Sequence, residues 1–105
     1  MTWVKTKGGK YINISMVEHI RVERVMDQDT SIKGTALVFE TGSCTIIEVY
    51  DEDFRTMEIA VEEMLAMTRA KLPLIYLENV LKLAKNIREW EKEKKTREQE
   101  SQNSK

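Results

Sequence analysis

The chain has 105 residues, 41% hydrophobic and 33% charged, with Lys plus Arg (17) nearly cancelling Asp plus Glu (18). A chain this short carries one domain, or one domain and an appendage, and self-association is a common remedy for its thin core. No overall field draws it to nucleic acid or an anionic membrane, although a local basic patch can hide in a neutral total.

The single cysteine, Cys44, excludes an internal disulfide and a cysteine-based zinc site, and fits a reducing compartment. The opening "MTWVKTKGGKY" has no apolar run of the signal-peptide kind, and the longest apolar stretches fall far short of the ~20 residues of a membrane span. These features predict a cytoplasmic protein without a membrane segment.

In chain order, "TWVKT" and "KYINI" flank Gly8-Gly9, and glycine pairs supply the positive φ angles that a tight hairpin needs. The sequence does not fix the register; a three-residue loop would place Val4 and Ile12 on one face and Trp3 and Tyr11 on the other, the more sensible sorting. "SMVEHI" reads as a brief turn that Ser15 can cap, with Val17 and Ile20 inward. "HIRVERV" alternates as a half-buried strand. "MDQDTSIKG" reads as a loop. "TALVFE" and "CTIIEVY" form a second hairpin across "TGS", with Gly42 as the turn residue.

Asp51, Glu52 and Asp53 then stand where a helix begins, and Phe54, Met57, Val61, Met64 and Leu65 recur at helical spacing. Pro73 marks the join to a second helix, whose stripe is Leu74, Leu77, Val80, Leu81, Ala84 and Ile87 and which stops at about Trp90. "EKEKKTREQE" continues with helix formers and Glu-to-Lys/Arg pairs four apart, each worth about 0.2–0.5 kcal/mol.

The expected fold is α+β: about five strands in one antiparallel, twisted sheet, pleckstrin-homology-like or a small partial barrel, covered by one helix, with a second long C-terminal helix. Residues 1–70 form the sheet-plus-helix module, 71–92 the striped helix and 93–105 a charged, fraying tail. An amphipathic helix of this sort is rarely stable alone in water. It folds back on the first helix or the sheet, or it meets the same helix of another copy.

Little in the chain resembles catalytic chemistry. His19 stands between Glu18 and Ile20 on the outer face of a strand, where a catalytic reading would need a nucleophile or a carboxylate held against it, and Cys44 has no neighbouring cation in sequence to lower its pKa. "DQDTS" opens like a calcium loop, but Ile32 stands where the turn glycine belongs and Val38 where the bidentate glutamate belongs. A helix start accounts for "DED", and neither "GG" nor "TGS" has the following lysine or helix of a phosphate loop. No catalytic residue, metal site or cofactor is expected.

The stretch "WVKTKGGKYINISMVEHIRVE…TALVFETGSCTIIEVY" resembles small uncharacterised bacterial and phage proteins with a pleckstrin-homology-like or related sheet-plus-helix build. More distantly, it is similar to small flagellar proteins of the FlbD/SwrD type. The resemblance covers residues 2–69 at most and implies a non-catalytic module that binds proteins or assembles. It carries over no functional residues.

The leading expectation is therefore a small bacterial or phage-encoded interaction or scaffold module that occupies a protein partner's surface. It self-associates, most simply as a dimer, through Leu74, Leu77, Val80, Leu81, Ala84, Ile87 and Trp90. The alternative is a nucleic-acid-binding regulator using Lys5, Lys7, Lys10 and Tyr11, which the neutral total charge disfavours. Lysines on an edge hairpin also serve as protection against aggregation. Trp3, Tyr11 and Trp90 are interface candidates, and Met57, Met64 and Met67 offer either an adaptable face or core filling.

Overall fold

A computed structural model describes residues 1–26 and 32–103. Six strands and two helices follow in the order β1 (Trp3–Lys5), β2 (Tyr11–Asn13), β3 (Val17–Met26), β4 (Ile32–Thr41), β5 (Thr45–Tyr50), α1 (Phe54–Arg69), β6 (Leu74–Tyr76) and α2 (Leu77–Asn103). The fold is α+β, as expected, but the strands form two three-stranded sheets. One has the order β2-β1-β6, with β1 and β6 parallel, and the other is the antiparallel β3-β4-β5. The single five-stranded antiparallel sheet under one helix is therefore corrected.

The first hairpin follows the residues closely. Val4 pairs with Ile12, and both are buried, while Trp3 and Tyr11 are exposed. The Thr6 amide donates to the Lys10 carbonyl at 2.8 Å, leaving a three-residue loop closed by Gly9 at φ +81°. That is the left-handed position at which glycine avoids a steric penalty. The next turn is a 3₁₀ helix, Ile14–Met16, capped by the Asn13 side chain, which accepts from the Ser15 amide at 3.1 Å. Ser15 is thus the residue held by the cap, and Asn13 supplies it.

In the second sheet, Leu37, Phe39 and Tyr50 belong to the core, and the partly buried Ile20, Val22 and Ile46 pack against it. Gly34 sits where a Cβ would lie 2.6 Å from the Tyr50 carbonyl oxygen, so only glycine lets β4 and β5 approach there. The β4–β5 turn is organised by the Thr41 hydroxyl, which accepts from the Ser43 and Cys44 amides at 3.3 and 3.0 Å. Gly42 lies at the bend, as the sequence suggested. Burial pushes the Tyr50 phenol up to about 12, with the Lys7 amide opposing and Glu48 and Glu78 adding to the shift.

Asp53 caps α1 as its charge and position predicted, its carboxylate accepting from the Thr56 amide at 2.7 Å. Burial raises its pKa, but hydrogen bonds from the Thr56 side chain and amide, with Arg88 beside it, hold the carboxyl below its usual range. Met57, Ala60 and Met64 face inward and are buried, and Met67 is partly so, so the methionines fill the core. At the far end Lys71 adopts φ 60°, its amide donating to the Thr68 carbonyl and that of Leu72 to the Met67 carbonyl. This reversal ends the helix with a lysine where glycine is usual.

The segment after Pro73 departs from expectation. Leu74, Ile75 and Tyr76 are a strand, parallel to β1 in the register Trp3–Leu74, Val4–Ile75 and Lys5–Tyr76. The Trp3 amide donates to the Pro73 carbonyl at 3.0 Å, and the Thr2 hydroxyl to the Leu72 carbonyl at 2.8 Å. Only then does α2 begin. Leu77, Val80, Leu81 and Ala84 are buried, and Ile87 packs at their edge. They join Val4, Ile12 and Ile75 of the first sheet, Leu37, Phe39 and Tyr50 of the second, and Met57, Ile59, Ala60 and Met64 of α1 in one core.

Where the apolar stripe of α2 ends, ion pairs take over. Arg55 meets Glu91 through two bonds of 2.8 and 3.3 Å, the forked geometry that makes such pairs strong. Arg88 lies 3.6 Å from Asp53, and Lys85 lies 2.7 Å from Glu52. Glu91 is thus engaged by α1, where the sequence suggested Lys95. The side chains from Lys92 to Glu98 are exposed.

Candidate functional site

Strand alternation splits the first sheet into two sets. Val4, Ile12 and Ile75 point into the core. Trp3, Lys5, Tyr11, Asn13, Leu74 and Tyr76 occupy the opposite face, in two rows set by the pairing: Tyr11–Lys5–Tyr76 and Asn13–Trp3–Leu74. Trp3 is 39% exposed, Tyr11 58%, Leu74 37% and Tyr76 47%. Exposed large apolar side chains are ordinary singly, but a contiguous set on one sheet face marks an interaction site.

Lys5 sits at the middle of the first row. Its ammonium lies 5.8 Å from the centroid of the Tyr11 ring and 5.8 Å from that of Tyr76. At this range the negative ring faces attract the cation, which fixes a charge between two aromatic surfaces. Lys7 and Lys10 are exposed on the adjoining hairpin loop. A small hollow beside the row is lined by Lys5, Thr6, Lys7, Gly9, Tyr76 and Glu78. The face is therefore aromatic and cationic at its centre, with Lys7 and Lys10 on the loop rim, Glu78 lining the hollow and the Glu48 carboxylate against Gly8.

Of the residues expected to contact nucleic acid, Lys5 and Tyr11 share this face, while Lys7 and Lys10 stand at its loop end. Tyr76 was missing from that set. The alternation of Leu74, Ile75 and Tyr76 was its only signal, and the helical reading of the stretch concealed it.

The expected self-association stripe is distributed differently. Leu77, Val80, Leu81 and Ala84 are buried within the chain's own core, and Ile87 is partly buried at its edge. The physical reason is that β6 docks beside β1 and brings the start of α2 over the core. Leu74 lies on the outer sheet face, outside any helical stripe. Trp90 is 57% exposed, with the Lys94 ammonium 5.2 Å from its ring.

The other candidates stand apart from this face. His19 is exposed on β3 opposite Glu40, and the exposed Cys44 thiol lies 3.4 Å from the Thr41 hydroxyl. Asp51, Glu52 and Asp53 line a cleft with Lys85, Arg88 and Lys92, and Lys85 and Arg88 pair with Glu52 and Asp53 there. Among the described residues no group of three or more potential ligands could hold a metal, and no helix is long and apolar enough to cross a membrane. Asp27, Asp29 and Ser31 of the calcium-loop comparison lie outside the described residues.

No family model matches the chain, and no curated protein or solved structure matches it either. The assignment of roles therefore rests on the geometry of the face.

Proposed function

We propose that this protein is a small non-catalytic recognition module that engages another macromolecule through the outer face of its first sheet. One observation carries the reading: Trp3, Tyr11, Leu74 and Tyr76 are all exposed on that face around the Lys5 ammonium. Burial on the inner face accounts for the sheet's stability, and nothing in folding asks for aromatics outside. Aromatic side chains ringed by charge are the usual anchors of recognition surfaces, because they gain contact area at little cost in side-chain entropy.

The test is complementation in the native host. A strain lacking the gene is supplied with the wild-type chain, with Tyr11→Thr plus Tyr76→Thr, or with His19→Ala plus Cys44→Ser. The reading expects the paired tyrosine variant to accumulate normally and fail, and the His19/Cys44 variant to succeed. A functional tyrosine variant would remove the face from consideration. Loss of function in the folded His19/Cys44 variant would return chemistry to the account.

A further inference from the structure

We infer that the partner of this face is single-stranded nucleic acid, gripped by stacking on Tyr11, Tyr76 and Trp3 and by phosphate contacts to Lys5, Lys7 and Lys10. The inference rests on the reading above that the outer face is the binding surface.

Three features favour this occupant. First, the aromatics are spread over adjacent strands. Strands lie about 4.8 Å apart, so Tyr11 and Tyr76, on either side of β1, stand roughly 10 Å apart with Lys5 between them. Trp3 follows two residues along β1, about 7 Å away. A sheet carrying two or three aromatics in this way can stack two or three unpaired bases, whereas the bases of a duplex are already stacked and closed to it.

Second, cations gather here. The chain as a whole is close to neutral, yet Lys5, Lys7 and Lys10 stand on and beside this face, with the Glu78 and Glu48 carboxylates at its loop end. Net charge speaks for the whole surface, and binding answers to the local field.

Third, the ammonium of Lys5 is held between two ring faces and, among the described residues, is in no ion pair with a carboxylate. It remains available to a phosphate that passes between two stacked bases. An apolar protein partner would have to desolvate that ammonium without compensation, which is costly.

The experiment uses the full chain carrying Trp90→Phe, which leaves Trp3 as the only tryptophan. A twelve-nucleotide oligothymidylate is titrated while Trp3 fluorescence is followed. Binding should quench the emission, and with three phosphate contacts the affinity should fall about 20-fold between 50 and 200 mM NaCl. Tyr11→Thr and Tyr76→Thr should each weaken binding about tenfold, since stacking on one ring is lost. Tyr11→Phe and Tyr76→Phe should bind like wild type, because stacking needs only the ring. Lys7→Gln plus Lys10→Gln should flatten the salt dependence.

Absence of binding at 50 mM NaCl would overturn the inference. So would equal binding of a twelve-base-pair duplex, or threonine variants that bind as well as wild type. Failure to bind the oligonucleotide, while the tyrosine variant still fails complementation, would leave the recognition face standing with a protein as its partner. A tyrosine variant that complements fully would remove the face itself.

Discussion

The inner and outer faces of the first sheet are built from the same nine residues of β1, β2 and β6, and alternation sends them to opposite environments. Inside, Val4, Ile12 and Ile75 are almost wholly buried against Leu77 and its neighbours in the core. Outside, Trp3, Tyr11, Leu74 and Tyr76 are comparably apolar and remain in contact with water. The inner set is explained once the chain has folded. The outer set is not, and that difference separates residues kept for stability from residues available for binding.

The comparison breaks most visibly if an inner position is emptied. Leu77→Ala should destabilise the fold by about 2–5 kcal/mol, the usual cost of truncating a fully buried leucine. Replacing Leu77 and Leu81 by Asp should unfold the chain, where a surface stripe would merely have dissociated a dimer. Denaturant melts followed by circular dichroism distinguish the two outcomes.

Tyr50, on the core side of β5, offers a pH test of the inner face. Its pKa in the fold is about 12 against an ordinary value of 10.0, so its contribution is fully present below pH 10 and is lost as pH rises from 10 toward 12. Thermal melts across that range should show a step that Tyr50→Phe removes.

Lys71 tests the turn that delivers β6 to the sheet. Its left-handed backbone costs a non-glycine residue about 1–2 kcal/mol, and Lys71→Gly should recover roughly 1 kcal/mol of that as a raised melting temperature. A smaller effect is expected at the end of α2. Truncation after Lys92 keeps the Arg55–Glu91 pair, and the side chains of Glu93 to Glu98 that it removes are exposed, so the melting temperature should stay within about 2 °C.

Local rules made part of this architecture legible. The shared face of Val4 and Ile12 was legible from alternation if the loop held three residues, although the sequence alone did not fix the register, and the Asp53 cap followed from an acid before a helical period. The division into two sheets did not, because β1 finds β6 across some 70 residues and nothing in either three-residue strand names its partner. "LPLIYLENV" was ambiguous for a related reason. A short apolar run before a helix suits either period, and Leu74, Leu77, Val80 and Leu81 fit a helical stripe as well as Ile75 fits a buried strand. That ambiguity hid Tyr76 and thereby half of the candidate face. Lys5, Tyr11 and Trp3 were visible as individual residues, but only the parallel β1–β6 pairing assembles them into one surface.

The most direct test of the distinction between the two faces is the thermal unfolding of Tyr11→Thr plus Tyr76→Thr beside wild type. Threonine keeps the strand preference and removes both rings. The account predicts a loss of about 1–2 kcal/mol, the worth of two exposed cation–ring contacts, which lowers the melting temperature by less than about 16 °C. A fall as large as that of Leu77→Ala would show that the outer rings hold the fold together, and would contradict the claim that they are free to bind.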